Sequence, residues 1–318
     1  MKIAFIGASG HFRYALEEAK KNEIVGIAPG VVGEDLSKLK KALQDRGIEA
    51  KEYQTPRDLL PLCDVAVVNT RFDQNAAVTM ECLKQNVFVF SEKPLAITLE
   101  SLEEVKKANE NSRAFVCAMF GIRFSPWFLT LKKALPAIGT VRLVTAQKSY
   151  KIGTRSDYYK ERKTVGGLIP WVAIHGIDWI LQILGNDPVK KIAAYQNRDC
   201  NFGCGTMETA ALCQMQTESG AIASVSADYF RPKGAFTHGD DRLRAVGERG
   251  VLEARGGRVF LIDETSEKEL PLEKEEDVFS LFLRRVQGEN TGVTPEESFL
   301  ATEIALRAQA AADREERL

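Results

Sequence analysis

Apolar positions in the first third of the chain fall in short unbroken runs: "KIAFIG" at 2–7, "IVGIA" at 24–28, "DVAVVN" at 64–69, "VFVF" at 87–90 and "AFVCA" at 114–118. Runs of this length with no polar alternation predict strands buried on both faces, as in a parallel sheet. Amphipathic stretches fill the gaps. Phe12, Ala15, Leu16 and Ala19 recur at helical spacing after the first strand, Ala76, Ala77, Met80 and Leu83 precede the fourth, and Leu99, Leu102 and Val105 follow Thr98, a residue suited to an N-cap. Strict alternation of strand and helix predicts a doubly wound α/β domain over residues 1–120.

Beyond residue 120 the pattern changes. "AIASVSADY" alternates Ala221, Ala223, Val225, Ala227 and Tyr229 with Ser224, Ser226 and Asp228, the period of a strand with one face packed and one wet. "RLVTAQKSY", "KKIAAYQ", "TAALCQMQT" and the hairpin-like "RLRAVGERGVLEARGGRVFLI" are its expected partners in an open, mostly antiparallel sheet, with Glu218, Ser219 and Gly220 as one turn. A helix is expected over about 295–315, through Phe299, Ile304, Ala305 and Ala308. The predicted organisation is therefore an α/β domain followed by an α+β domain over 121–318.

With 318 residues, two domains can each bury a core. A hydrophobic content of 44%, a charged content of 27% and a formal charge of -1 are those of a globular protein with no general attraction for nucleic acid or anionic membrane. The opening "MKIAFIGASG" is too brief for a signal-peptide core, and no later stretch is read as a run of roughly 18 apolar residues, so the expected location is cytoplasmic. Six scattered cysteines are read as free thiols. Cys200 and Cys204 lack a second pair or a nearby histidine, so no metal is expected.

In "FIGASGHF" a strand runs into a glycine turn and then a helix, the geometry that aims backbone N–H groups and a helix dipole at a phosphate. Gly7, Ser9, Gly10, His11 and Phe12 are the candidate dinucleotide contacts. The GxGxxG register keeps only Gly7, with Gly10 one place late, and a plain tight turn explains these residues equally well. The second strand ends Ala28-Pro29-Gly30 with neither an acid for a ribose 2′-hydroxyl nor an arginine for a 2′-phosphate, which leaves NAD and NADP both open.

Residues 64–126, "DVAVVNTRFDQNAAVTMECLKQNVFVFSEKPLAITLESLEEV…AMFGIRFSP", resemble the Gfo/Idh/MocA family of NAD(P)-dependent oxidoreductases. The matched features are a strand ending Asn69-Thr70, a strand running into Glu92-Lys93-Pro94, and "GIRFSP" beyond the last strand. "GGLIPWVAIHGID" at 166–178 resembles the family's second motif, and "RAVGERGVLEA" its late hairpin. The resemblance implies a Rossmann domain and an antiparallel substrate domain, and often a homodimer or homotetramer built on the sheet. It implies an NAD or NADP cofactor, a sugar- or polyol-like substrate, Lys93 as the proton-transfer group beside the nicotinamide, Glu92 and Pro94 fixing its turn, and His175 as ligand of the reacting hydroxyl. Asn69, Thr70 and Arg123 join the expected cofactor contacts by the same resemblance.

Oxidising an alcohol requires a base for the hydroxyl proton, and a lysine that loses hydration near a cationic ring is suited to that work. The plainer reading of Lys93 is a solvated lysine at a strand end. His175 likewise has a bland reading as a core residue of an apolar helix. Trp171 stands where the family's motif usually has an aspartate, which takes away one proton-relay group and suggests an apolar wall for a sugar ring. Asp178, three residues after His175, is placed to orient the imidazole. The basic segment 150–163 offers Tyr158, Tyr159 or Lys163 to a substrate, or is simply a solvated loop. Two rival functions are a cofactor-retaining lyase or hydrolase on the same fold and a non-catalytic ligand-binding or regulatory protein.

Overall fold

The computed structural model describes residues 1–315. The chain divides into two compact units: Met1–Gly121 with Asp277–Thr302, and Ile122–Glu276 with the described residues from 303 to 315. The first unit is thus discontinuous, and the residues 277–302 that join it lie within the stretch expected to form a second domain.

The first unit is built on a parallel sheet of five strands in the order β2-β1-β3-β4-β5: β1 Lys2–Ile6, β2 Glu23–Ala28, β3 Val65–Val68, β4 Phe88–Ser91 and β5 Val116–Ala118. β1 pairs with β3 from Ile3↔Val65 to Ile6↔Val68, so the chain order reverses between these two strands. Crevices at such a reversal, past the carboxyl ends of the strands, are where open α/β sheets bind ligands. All four residues of β3 are buried, which is why an unbroken apolar run was its signal.

Helix Phe72–Lys84, packed on β3 and β4, buries Ala76 and Leu83 as expected, but its inward face is rotated from the one predicted. Ala77 is exposed and Met80 half-buried, while Phe72, Asn75, Thr79 and Cys82 are buried. Side-chain chemistry sets its rotation: Asn75 turns inward to bond carbonyls just after β4, and Thr79 to meet the Ser91 hydroxyl at the end of β4. Thr98 caps helix Leu99–Glu110 as expected, its side chain accepting from Ser101 N at 3.1 Å. Leu99, however, is exposed, and Leu102 and Val105 carry the buried face. Helix Val278–Val286, capped by Asp277, covers the other side of the sheet, where Phe279 and Phe282 lie 5.1 and 5.2 Å from Phe90. Burying each such ring stabilises the unit by about 1.5–3 kcal/mol.

The second unit carries an eight-stranded sheet in the order β13-β12-β11-β10-β6-β9-β8-β7: β6 Val141–Tyr150, β7 Val189–Asn197, β8 Ala210–Thr217, β9 Ile222–Asp228, β10 Gly239–Gly247, β11 Gly250–Arg255, β12 Arg258–Ile262 and β13 Glu267–Leu270. Only β6 and β9 pair in parallel. One face is covered by a helical run comprising Arg162–Val165, a π-turn over Ile169–Ala173 and helix Ile174–Ile183, which packs on β6 and β9. Gly176 permits this close approach, since a Cβ there would stand 2.6 Å from Val225. The run Arg162–Ile183 corrects the expectation that no segment reaches spanning length. It is long and apolar enough to cross a membrane by length and composition alone, but 94% of its apolar window is buried inside the protein, where a core helix has the same composition.

Candidate active site

In the first unit the reversal point is tightly closed. Gly7 has φ +79°, and a Cβ on it would lie 2.7 Å from the Thr70 backbone, so β1 can turn over β3 only at glycine. The turn that follows differs from the expected cradle of free N–H groups. Gly7 N donates to Ala28 O and Ser9 N to Asn69 O. Ala8 N donates to Glu34 Oε1 at 3.1 Å, and His11 N to Glu92 Oε2 at 2.7 Å. Acidic side chains of the protein therefore hold two of the donors that a phosphate would use.

Glu34 gathers the nucleotide end. Its Oε1 also accepts from Ser9 Oγ at 2.5 Å, and its Oε2 accepts from Gly30 N at 2.9 Å and Thr70 Oγ1 at 3.3 Å. The acid missing at the end of β2 is thus supplied six residues later by a loop that returns to the same crevice. Asn69, fully buried at the end of β3, leaves both side-chain polar atoms without a hydrogen-bond partner among the described residues. A buried amide in that condition is costly unless something else bonds it. An orphaned amide, a glycine-only crossing and a carboxylate beside Gly30 fit a dinucleotide whose ribose hydroxyls meet an acid.

The turn after β4 is held from beneath. Asn75 Nδ2 donates to the carbonyls of Glu92 and Pro94, each at 3.2 Å, and Ser91 Oγ donates to Glu92 O at 3.3 Å. The Lys93-Pro94 bond is cis. Glu92 is fully buried and its Oε2 also lies 2.8 Å from His11 Nδ1. Burial opposes its ionisation, but the charge and hydrogen bonds of His11, with the charge of Lys93, hold the carboxyl below its usual value. Gly10 has no room for a side chain because Glu92 Oε2 occupies that space. Lys93 is 2% exposed, with Nζ 5.8 Å from the centre of the Phe72 ring, so it is not the solvated lysine of the plainer reading. Phe12 is buried in a 3₁₀ turn, Phe12–Ala15, and His11 stacks on Tyr14.

In the second unit, Trp171 lies in the π-turn and His175 in the helix that continues it, one turn apart on a single run. Both are buried, at 8% and 4% exposure. Helix irregularities of this kind re-aim side chains and are frequent at functional sites. Trp171 lies against Tyr159 and Tyr229 in tilted ring contacts, with ring centres at 4.7 and 5.5 Å. Asp178 is engaged by Arg123, whose Nε donates to Oδ2 at 3.1 Å while Nη2 reaches Oδ1. Arg123 and Asp178 are 5% and 1% exposed, so this is a fully buried, two-pronged ion pair. Arg123, expected among the cofactor contacts, thus uses Nε and Nη2 to hold Asp178.

Of the basic segment's candidates, neither Tyr158 nor Lys163 lines the cavity beside Trp171, whereas Arg155 and Tyr159 do. The 3₁₀ turn Asp157–Lys160 directs Tyr159 onto Trp171, while Lys163 faces outward from the short helix that follows. The sequence reading missed Glu34, Asn75, Arg155 and Tyr229. Glu34 carried the faint signal of an acid in a Gly-rich loop after the second strand. Asn75 and Thr79 carried another, as polar residues on an otherwise coverable helix face.

Comparison with known proteins agrees with this architecture. Residues 1–120 match the family model described as "Oxidoreductase family, NAD-binding Rossmann fold", and residues 128–253 the GFO/IDH/MocA C-terminal domain. A solved Thermotoga maritima structure, whose assignment as an oxidoreductase is provisional, is 47% identical with a TM-score of 0.96, over 99% of this chain and 98% of that one. Inositol 2-dehydrogenase of Salmonella typhimurium is 28% identical over 79% of this chain and 71% of its own. Myo-inositol 2-dehydrogenase of Thermotoga maritima is 24% identical over 84% of this chain and 80% of its own. The chain belongs to the Gfo/Idh/MocA family of oxidoreductases, with an NAD-binding Rossmann unit and a C-terminal unit built on a mostly antiparallel sheet.

Proposed function

We propose that the protein is a dehydrogenase that moves a hydride between a nicotinamide cofactor and a hydroxyl-bearing carbon of a sugar- or polyol-like substrate. The observation that carries this reading is the burial of Lys93 at the carboxyl end of β4, on a turn whose carbonyls are fixed by Asn75 and whose preceding acid is fixed by His11. A lysine removed from water and held on a rigid turn can exchange its proton with a hydroxyl. His175 donates to or accepts from the reacting hydroxyl and sets its orientation. Gly7, Asn69, Thr70 and Glu34 hold the dinucleotide. When bound, the nicotinamide supplies the hydride chemistry.

The names of the relatives support polyols as the first substrates to test. Trp171 in place of an aspartate supports a second reading, in which the nucleotide is retained and no net oxidation occurs. One set of measurements distinguishes them: titration with NADH and NADPH followed by nucleotide fluorescence, then turnover on a panel of inositols and sugars. Nucleotide-coupled turnover abolished in Lys93→Ala supports the dehydrogenase. Turnover that survives that substitution removes Lys93 from the role.

The open face of the eight-stranded sheet exposes Tyr195, Leu212, Ile222 and Phe230, an apolar surface suited to self-association into a homodimer or homotetramer. A cytoplasmic location accords with unbridged cysteines, three of them buried, and with the nucleotide supply there.

A further inference from the structure

The second unit encloses a cavity of about 90 Å³ bounded by the segment after β6, the π-turn and the end of β9. Arg155, Tyr159, Trp171, Phe202 and Tyr229 are among its lining residues, and no aspartate or glutamate is. The guanidinium of Arg155 lies 5.3 Å from the Trp171 ring and 5.8 Å from the Tyr159 ring. Its Nε donates to Ile152 O at 3.0 Å, and no acidic side chain forms an ion pair with it among the described residues. Of the neighbouring cations, Lys160 is matched by Asp157 and Lys148 by Asp241, while Lys151 bonds the carbonyls of Lys233 and Ala235 outside the cavity lining. Among the described residues that line the cavity, Arg155 is therefore the cation without an acidic partner.

Tyr229 provides the second observation. Its residue is 3% exposed, yet its hydroxyl has no hydrogen-bond partner among the described residues. Burial raises this phenol well above its usual value, so at neutral pH it remains a donor. A buried donor and an unmatched guanidinium that line one small cavity call for an anionic acceptor. The field there is positive: His238, stacked on Tyr150, is held below its usual value by burial and then by the charges of Arg155, Lys151 and Lys148.

We propose that this cavity binds the carboxylate of a small polyhydroxy acid, with Arg155 and Tyr229 as its donors and the Trp171 ring against the carbon skeleton. The proposal rests on the polyol reading above and narrows its substrate class from neutral polyols to sugar acids. The volume admits a few heavy atoms, being smaller than the roughly 150 Å³ that accommodates benzene. One guanidinium and one hydroxyl balance a monoanion, whereas a phosphate dianion would require further donors. A neutral polyol would leave the Arg155 charge unmatched. Trp171 stands one turn before His175 on the same helical run, which puts the anchoring end beside the residue assigned to the hydroxyl.

Matched pairs test this: D-glucuronate against D-glucose, D-galacturonate against D-galactose and D-gluconate against D-glucitol, with glucose 6-phosphate as a fourth probe. Calorimetric affinities are measured with and without NADH for the wild type, Arg155→Met and Tyr229→Phe, and melting temperatures establish that each variant folds. At least one acid is expected to bind about tenfold or more tightly than its neutral counterpart, the size of a charge-assisted contact. Arg155→Met is expected to remove that difference by weakening the acid far more than the neutral sugar, and Tyr229→Phe to reduce it several-fold. Equal affinities within every pair, a preference that survives Arg155→Met, or tighter binding of glucose 6-phosphate would each overturn the proposal. Because binding is read directly, absence of nucleotide-coupled turnover would count against the dehydrogenase reading and leave this result intact.

Discussion

Glu92 accepts a hydrogen bond from the backbone nitrogen of His11 at 2.7 Å and meets the His11 ring nitrogen at 2.8 Å. The residue that precedes Lys93 thus ties the end of β4 to the glycine turn after β1. Because its carboxyl lies below the usual value of 4.5 in the fold, the contact contributes stability that is complete above about that pH and lost as pH falls through the lower folded value. Urea unfolding of wild type and Glu92→Gln should differ at neutral pH and converge on acidification. A difference that grows as pH falls would contradict this account.

Lys93→Met removes the titrating group and keeps a chain of similar length in a buried position. Turnover is expected to fall by about 10²- to 10⁴-fold, the usual contribution of a positioned acid or base. Affinity for NADH should stay within a few-fold of wild type. Steady-state rates together with a fluorescence titration check both halves.

Glu34 bonds Ala8 N, Ser9 Oγ, Gly30 N and Thr70 Oγ1 in the crevice past β1. Ribose hydroxyls can replace those donors at such a carboxylate, but a 2′-phosphate would face like charge. The expected result is tighter binding of NAD than of NADP by about tenfold or more, a ratio of about 1.4 kcal/mol at the least. Glu34→Gln should shrink that ratio, chiefly by improving NADP. Paired titrations of the two nucleotides decide it.

Phe282 is 2% exposed and packs on Phe90 and Phe279. Phe282→Ala opens a cavity beneath the helix that joins the first unit from residue 277, and should lower unfolding free energy by about 3–5 kcal/mol. Chemical denaturation of the variant measures this directly.

Strands buried on both faces were legible because burial demands unbroken apolar runs, and alternation in β6, β8 and β9 was legible because one face of that sheet is covered. The rotation of helix Phe72–Lys84 was not, because Asn75 turns inward to bond carbonyls nearly twenty residues away, and periodicity carries no such signal. β13 escaped for the opposite reason: Glu267–Leu270 pairs with β12 through its backbone and buries almost nothing. The proposed roles of Lys93 and His175 come from motif resemblance, and the structure adds that both are buried. Glu34, Arg155 and Tyr229 are proposed from a returning loop, a charge without an acidic partner and an unbonded hydroxyl, properties that exist only once the chain is folded.

β13 has a bearing on how copies of the protein meet. It closes one border of the eight-stranded sheet with exposed Glu267, Lys268 and Glu269, and β7 closes the other with exposed Lys190 and Lys191. Charged margins discourage strand-by-strand extension into continuous ribbons. Growth of the sheet from molecule to molecule is therefore discouraged at both ends, so the self-association proposed above would use the open face, where Tyr195, Leu212 and Ile222 are exposed, and close on itself.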